Sequence, residues 1–435
     1  MTLRKSTWTP GAMAAVLALT GCGGAASAGT DDSDTFVFAT GKDITCLDPH
    51  VNGDMPQASI AANYLDSLVS QDKDGRIHPW LAESWEVSAD GLTYTFRLRD
   101  DVYFTDGTKL TSEAVKANLD HMVDPDTQSG TAGGYLKPYV KTELPDETTA
   151  VVTLNRPYAA FLEVLAQPFL GIESPEALKR PQAENCNAPV GTGPFKIVDY
   201  VPQSKVTLVR NEDYNSAPPY ASHQGPAQVE RIEWRIVPED STRYGLLRAG
   251  QVVALDLMPP VHFAEARADK KVELVLQDRP GNPTNLMLNT TRAPFNDLKV
   301  RQAFLKSVYV DAGINSAYFG TAPRPGGPLS NTTTFYSADF EHVYDPDPQE
   351  AARLLDGAGW DRRDQEGYRV KDGRRLTVHF PYTPDIWPTA HQSLVTQIQA
   401  SARQAGFEVL IENGDYASVS ELGNTFKYDL RADYW

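Results

Sequence analysis

The sequence predicts an α/β protein with more than one domain, and three observations carry this prediction. The chain has 435 residues, which exceeds one ordinary domain of about 150 residues and indicates two large or three smaller domains. Near its C-terminus, two alternating apolar segments flank a helical stripe, the pattern of a βαβ unit. Gly and Pro, 31 of each, are frequent enough to supply turns between many short elements.

Composition and charge exclude several classes of protein. A hydrophobic fraction of 41% with a charged fraction of 22% is typical of globular chains and excludes general disorder. Beyond the first twenty residues, no apolar run approaches the roughly 18 residues of a membrane-spanning helix. The net charge of −17 repels phosphate backbones and anionic lipid. We therefore expect neither a channel nor a nucleic-acid-binding protein.

The first elements predicted along the chain are short. Residues 35–40 combine β-branched and aromatic side chains and predict a strand. Apolar side chains at helical spacing predict a helix over 58–69. Alternation on both sides of residues 90–91 predicts a hairpin with a two-residue turn. Thr111 is expected to cap the helix that follows.

Strands and helices continue to alternate after this region. Pro346 and Pro348 are expected to open a helix that ends near Gly359. The βαβ unit begins with a strand at 376–380 and ends with a strand at 407–411. Further strands are predicted over four segments: 150–154, 195–201, 206–210 and 232–237.

The βαβ unit also predicts where a ligand binds. Its two strands should be parallel with a right-handed crossover, and ligands gather at the carboxyl ends of such strands. The loop after Phe380, which contains Tyr382 and Trp387, is therefore expected to face a cleft.

The N-terminus has the features of an export signal. An apolar run at 11–20 follows two basic residues and is too short to span a membrane. Residues 19–22, Leu-Thr-Gly-Cys, resemble the lipobox of bacterial lipoproteins. We predict a signal peptide at 1–21, lipidation of Cys22 and a flexible tether at 22–34. The alternative is an ordinary secretory signal with an incidental cysteine.

Two further cysteines, Cys46 and Cys186, remain after removal of this signal. An even pair in an oxidising compartment predicts a disulfide. Two unrelated buried thiols are the alternative, because the sequence cannot show whether the Cα atoms lie close enough to bridge.

Motifs of enzyme and cofactor chemistry are absent from the sequence. It contains no His-Glu-x-x-His or Cys-x-x-Cys pair for a metal, no Gly-x-Ser-x-Gly elbow, and no complete P-loop or Rossmann fingerprint. We therefore predict no catalytic residues, no metal and no cofactor. A dispersed Ser/His/Asp triad would escape such a search, so an esterase remains an alternative.

Several segments, taken together and in order, resemble the family 5 solute-binding proteins of bacterial ABC importers. This family contains the oligopeptide-, dipeptide- and nickel-binding proteins. The resemblance runs along nearly the whole mature chain and is carried by these segments: 47–49 (LDP), 64–69, 79–115, 190–195 (VGTGPF), 211–214, 288–290, 294–295, 300–303 and 345–360.

The resemblance implies a periplasmic-binding-protein-like fold of class C, also called type II. Two α/β lobes would enclose a cleft, and an α+β subdomain would be inserted into the first lobe. The implied boundaries are 35–74 with 190–285 for lobe one, 75–189 for the insert and 286–435 for lobe two.

The resemblance also implies a function. The protein would capture peptides or similar small solutes outside the cytoplasm and deliver them to an ABC permease. It would be a lipid-anchored monomer in the periplasm or on the outer face of the cytoplasmic membrane. It would break no bond. The rival interpretations are a secreted, lipid-anchored hydrolase and a receptor that signals without transport. Peptide, nickel chelate, haem and oligosaccharide remain open as ligands.

Five residues are candidates for lining the ligand site. For the aromatic ones, ordinary core packing is the alternative, and for the first aspartate it is a role in a turn. The candidates are Asp43, Tyr382, Trp387, Asp433 and Trp435.

The chain departs from the family pattern at its end. Family members usually continue for many tens of residues, so lobe two is expected to be incomplete and the chain to be a truncated reading of a longer gene. Asp429 and Trp435 resemble an aspartate and a tryptophan that precede the family's amine-binding aspartate. An alternative alignment makes Asp433 that amine partner.

Overall fold

The computed structural model describes residues 34–384, 387 and 389–433. They form two compact units: unit 1 ends at Asp256, and unit 2 begins at Leu257. The predicted signal peptide, Cys22, the tether up to residue 33 and Trp435 lie outside the described residues. Within the described part of the chain, no helix is both long and apolar enough to cross a membrane. The predicted lobe boundaries and the truncation stay predictions.

Unit 1 contains two main sheets. The first has the order β11-β1-β10-β9-β8, with β1 parallel to both of its neighbours. The second is antiparallel with the order β4-β5-β7-β6, and β2 pairs with β3. The strands are β1 Thr35–Thr40, β2 Val69–Gln71, β3 Ile77–Pro79, β4 Ala82–Val87, β5 Thr93–Leu98, β6 Tyr139–Asp146, β7 Thr149–Leu154, β8 Phe195–Val201, β9 Lys205–Arg210, β10 Arg231–Ile236 and β11 Ala254–Leu255.

The helices of unit 1 are mostly short. The longest, α2, packs its buried face against the second sheet; Thr111 occupies its N-cap position as predicted, but the Thr111 side chain makes no capping hydrogen bond. The helices are α1 Met55–Ala61, α2 Ser112–Val123, α3 Thr131–Tyr135, α4 Phe161–Leu165, α5 Pro175–Leu178, α6 Gln182–Asn185 and α7 Asp240–Arg248.

The structure corrects two predictions in unit 1. The helix expected over 58–69 starts earlier, at a capping box formed by Asp54 and Gln57, and ends at Ala61. It ends there because Asn63 and Tyr64 turn their backbone carbonyls to Phe195 and Gly193. The predicted two-residue hairpin has a longer loop, since the ladder between β4 and β5 ends at Val87 and Tyr94.

Unit 2 is built around the parallel pair β16 and β17, which confirms the predicted βαβ unit. Strand β12 pairs antiparallel with β18, and β13, β14 and β15 form a small meander. The strands are β12 Asn285–Leu288, β13 Arg362–Arg363, β14 Arg369–Lys371, β15 Arg374–Arg375, β16 Thr377–Tyr382, β17 Glu408–Asn413 and β18 Leu430–Asp433. The helices are α8 Phe263–Ala268, α9 Leu298–Ser307, α10 Val310–Tyr318, α11 Pro348–Gly357, α12 Thr389–Ala405 and α13 Tyr416–Asn424.

The core of unit 2 packs helices against this parallel pair. Phe304 of α9 makes edge-on ring contacts with Phe295 and Phe407, with centroids 5.2 and 5.3 Å apart. Helix α11 begins at Pro348 as predicted, capped by the side chain of Asp347. This packing fixes β16 and therefore the loop that leaves its carboxyl end.

Candidate functional site

Three ring side chains of unit 2 meet where β16 ends. Tyr382 is the last residue of β16, Trp387 lies in the following loop, and His391 lies in the first turn of α12. We call these three residues the aromatic shelf. The shelf occupies the carboxyl end of a parallel strand, the position where ligands of α/β proteins commonly bind.

The rings of the aromatic shelf are nearly parallel. The Trp387 and His391 centroids are 4.0 Å apart with an interplanar angle of 12°. Tyr382 lies 6.3 Å from each ring, tilted by 11°, and its hydroxyl lies 3.3 Å from Nδ1 of His391. Tyr382 and His391 are buried, while Trp387 is half-buried. The shelf is therefore a preorganised flat surface whose outer member is reachable.

Hydrogen bonds hold the loop that carries Trp387. The side-chain amide of Gln392 donates to the carbonyls of Pro384 and Trp387, at 3.0 and 3.2 Å. Beside them, the buried hydroxyl of Thr383 has no hydrogen-bond partner among the described residues. A buried hydroxyl without a partner is costly, so Thr383 is a further candidate for contact with a bound polar group.

Burial keeps the shelf uncharged at neutral pH. It raises the pKa of Tyr382 to about 12 and lowers the pKa of His391 to about 4. Both rings are therefore neutral at pH 7, and the shelf favours the apolar or aromatic parts of a ligand over a charged group.

We expect the free energy of unfolding to fall on acidification because of His391. The pKa of His391 in the folded chain lies below the ordinary value of 6.5. The stability that its neutral ring contributes is therefore complete above pH 6.5 and is lost as the pH falls through about 4. Urea unfolding at pH 7 and pH 4.5 measures the loss. His391→Gln should flatten this pH dependence, and an unchanged slope in that variant would contradict the assignment.

Asp43 is the candidate ligand-site residue in unit 1, and its carboxylate accepts hydrogen bonds from two backbone amides. One carboxylate oxygen accepts from the amide of Ile44 at 2.9 Å, and the other accepts from the amide of Gln203 at 3.1 Å. Asp43 thus joins the loop after β1 to the turn between β8 and β9. These contacts fit the turn role that the sequence left open, and a ligand contact by Asp43 stays a prediction.

The candidates near the C-terminus belong to β18 and its flank. Asp433 pairs with Asn285 in the antiparallel ladder, and Trp435 lies outside the described residues. Asp429 accepts the amide of His379 at 2.8 Å and lies 3.0 Å from Nε of Arg292. It therefore fastens the start of β18 to β16.

The structure contains the predicted disulfide between Cys46 and Cys186. Their Cα atoms are 4.4 Å apart, and the amide of Leu47 donates to the carbonyl of Cys186 at 2.7 Å. The bridge joins the loop after β1 to the segment that follows α6.

Sequence reasoning identified Tyr382 and Trp387 but missed His391 and Thr383. The available signal was positional, because both residues flank the crossover loop that was predicted to face a cleft. A single histidine near a helix start belongs to no motif, so its contact with Tyr382 became visible only in the folded chain.

Comparison with known proteins agrees with this architecture. The model of bacterial extracellular solute-binding proteins, family 5 (middle region), matches residues 76–435. The glutathione-binding protein GsiB of Pectobacterium atrosepticum is 34% identical over 326 residues, covering 74% of this chain and 61% of the relative. The chain thus spans about 61% of the length of the curated glutathione-binding relatives that it matches.

Solved structures agree as well. NikA from Brucella suis, in complex with Fe(III)-EDTA, is 26% identical with a TM-score of 0.79, and the match covers 92% of this chain and 78% of NikA. DppA from Helicobacter pylori, in complex with the peptide STSA, is 26% identical with a TM-score of 0.74 and the same coverage. The chain therefore belongs to family 5 of the bacterial extracellular solute-binding proteins.

Proposed function

We propose that this protein is the extracytoplasmic solute-binding component of an ABC importer and captures peptides or similar small solutes for a membrane permease. Its membership of family 5 carries the proposal. The relatives support the solute class, because they include a glutathione-binding protein and a structure in complex with a peptide.

In this proposal, capture is non-covalent and the solute leaves unchanged. The aromatic shelf offers neutral ring surface on which apolar parts of a solute are removed from water. Backbone groups of neighbouring loops pair with the polar groups of the solute, which gives broad selectivity among peptides. The permease complex, rather than this chain, supplies ATP hydrolysis.

Trp387→Ala should weaken solute binding at least about tenfold, equivalent to about 1.4 kcal/mol. The reason is that Trp387 is the reachable member of the shelf, whereas Tyr382 and His391 are buried beside it. Isothermal titration with a peptide that binds the unaltered chain measures the dissociation constant.

Tyr368→Ala is the matched control for this prediction. Tyr368 is also a half-buried aromatic residue of unit 2, but it lies in the segment that precedes β16. There the guanidinium groups of Arg375 and Arg403 lie over its ring. Its removal should leave the affinity unchanged. Equal affinities for the Trp387 variant and the unaltered chain would show that the aromatic shelf does not contact the solute.

We further propose that Cys22 carries the lipid anchor, supported by the apolar run and the lipobox-like residues before it. One acylated cysteine holds the protein at the membrane through buried methylenes, each contributing about 0.8 kcal/mol. Cys22→Ser should therefore move the protein from the membrane fraction to the soluble fraction. Retention of the serine variant in the membrane fraction would contradict lipidation at this site.

A further inference from the structure

A second group of chemically active side chains lies in unit 1. Asp48 and His50 lie in the loop after β1, and His121 lies near the end of α2. One donor atom from each residue lies within 4.8 Å of the others. Asp48 and His50 are fully buried, whereas the side chain of His121 is 21% exposed. We call these residues the Asp-His-His cluster.

The hydrogen bonds of His50 leave one ring nitrogen facing a carboxylate. Its Nε2 lies 2.9 Å from the carbonyl of Gly171, which can only accept, so Nε2 carries the hydrogen. In the neutral ring, Nδ1 then carries a lone pair and lies 3.5 Å from Oδ1 of Asp48, which also accepts the backbone amide of His50 at 2.8 Å. Nδ1 has no hydrogen-bond partner in the described part of the chain. Two buried acceptor atoms this close together favour a cation beside them.

The other members of the cluster are held in position from outside. Nδ1 of His121 lies 3.1 Å from the hydroxyl of Thr127, while its Nε2 faces Oδ2 of Asp48 at 3.3 Å. The amide of Asn185 donates to Oδ2 of Asp48 at 3.2 Å. Outer hydrogen bonds of this kind orient the ligands of metal sites.

We propose that Asp48, His50 and His121 bind a divalent transition-metal ion such as Zn²⁺. Two imidazoles with one carboxylate are a donor set that suits zinc. Nδ1 of His50 lies 3.5 Å from Oδ1 of Asp48 and Nε2 of His121 lies 3.3 Å from Oδ2, so each imidazole faces a different oxygen and the carboxylate would hold the ion through both of its oxygens. His121 is the partly exposed member of the cluster, so an ion would exchange with solvent on its side.

The position of the cluster gives such an ion a structural role. It joins the loop after β1 to α2 of the four-stranded sheet region, beside the disulfide between Cys46 and Cys186. Metal that binds only the folded chain stabilises it by mass action. The ion therefore cross-links two segments of unit 1, and this structural role is independent of the solute that the protein carries.

The test uses the untagged full chain after removal of metal with a chelator. Zn²⁺ should bind with a stoichiometry of one per chain and raise the unfolding temperature by about 5 °C or more at saturation. His121→Gln should lose at least about a hundredfold in affinity, because loss of a ligand exceeds the 10–100-fold cost of changing an outer-shell partner. Glutamine keeps polar atoms beside Asp48 and Thr127, so the fold without metal should persist.

His78→Gln is the matched control, since His78 also pairs with an aspartate, Asp72 at 2.9 Å, but among the described residues belongs to no group of three metal-ligating side chains. This variant should bind Zn²⁺ like the unaltered chain. Thr127→Val is a second probe should the His121 variant fail to fold, and it should weaken binding about tenfold. Absence of Zn²⁺ binding to the unaltered chain, or equal binding by the His121 variant when folded, would overturn the proposal.

Discussion

Replacing Gly191 with alanine is expected to destabilise unit 1 by about 3 kcal/mol or more. A Cβ added there would lie 1.9 Å from the carbonyl oxygen of Tyr64 and 2.6 Å from Cδ2 of Leu65. The two chain segments would have to separate, which weakens the bond from the amide of Gly193 to Tyr64 at 3.1 Å. Overpacking and lost backbone hydrogen bonds together account for this magnitude. Urea unfolding followed by tryptophan fluorescence measures it.

Gly245→Ala is the control for this prediction. Gly245 lies in α7, and an added Cβ there would meet no described atom within 4 Å apart from its chain neighbours and the backbone of its own helix. Alanine in a helix interior should stabilise the protein by about 0.5–1 kcal/mol. If both alanine variants unfolded at the same urea concentration, the close approach of Gly191 to Tyr64 would be refuted.

Removal of the disulfide should have an effect of similar or greater size. The bridge closes a loop with a sequence separation of 140 residues, for which the chain-entropy model gives about 4–5 kcal/mol. We expect the Cys46→Ser, Cys186→Ser double variant to lose this amount in its free energy of unfolding. Denaturant titration under oxidising conditions measures the difference.

Chemical reduction supplies the control for the disulfide. The reduced unaltered chain should unfold near the midpoint of the double variant, because the loop is open in both. A double variant within about 1 kcal/mol of the oxidised protein would show that the bridge contributes little to stability.

The sequence was most informative where one segment decides its own structure. The alternating apolar residues at 376–380 and 407–411 formed the parallel pair β16 and β17, and α11 opened at Pro348, one of the two prolines expected to start it. It failed at 58–69, where Tyr64 and Leu65 have helical spacing but lie beyond the end of α1. There, distant residues of the VGTGPF turn pair with the backbone, and periodicity carries no information about such partners.

The two candidate sites differ in the same way: the sequence predicts part of one and none of the other. Tyr382 and Trp387 could be placed together because the carboxyl end of a parallel strand is a topological position. The Asp-His-His cluster could not be predicted from the sequence, because His50 and His121 are separated by the whole region from β2 to β5. Motif searches rely on short spacings, and only the fold brings these residues together.

Equilibrium binding with recovery of the solute tests the central claim most directly. The purified full chain is incubated with short peptides, the complexes are detected by native mass spectrometry, and the released peptide is analysed after prolonged incubation. We predict reversible binding of one peptide per chain and recovery of peptide with unchanged mass. Absence of any complex across the peptides, or progressive cleavage of those that bind, would contradict a solute-binding function.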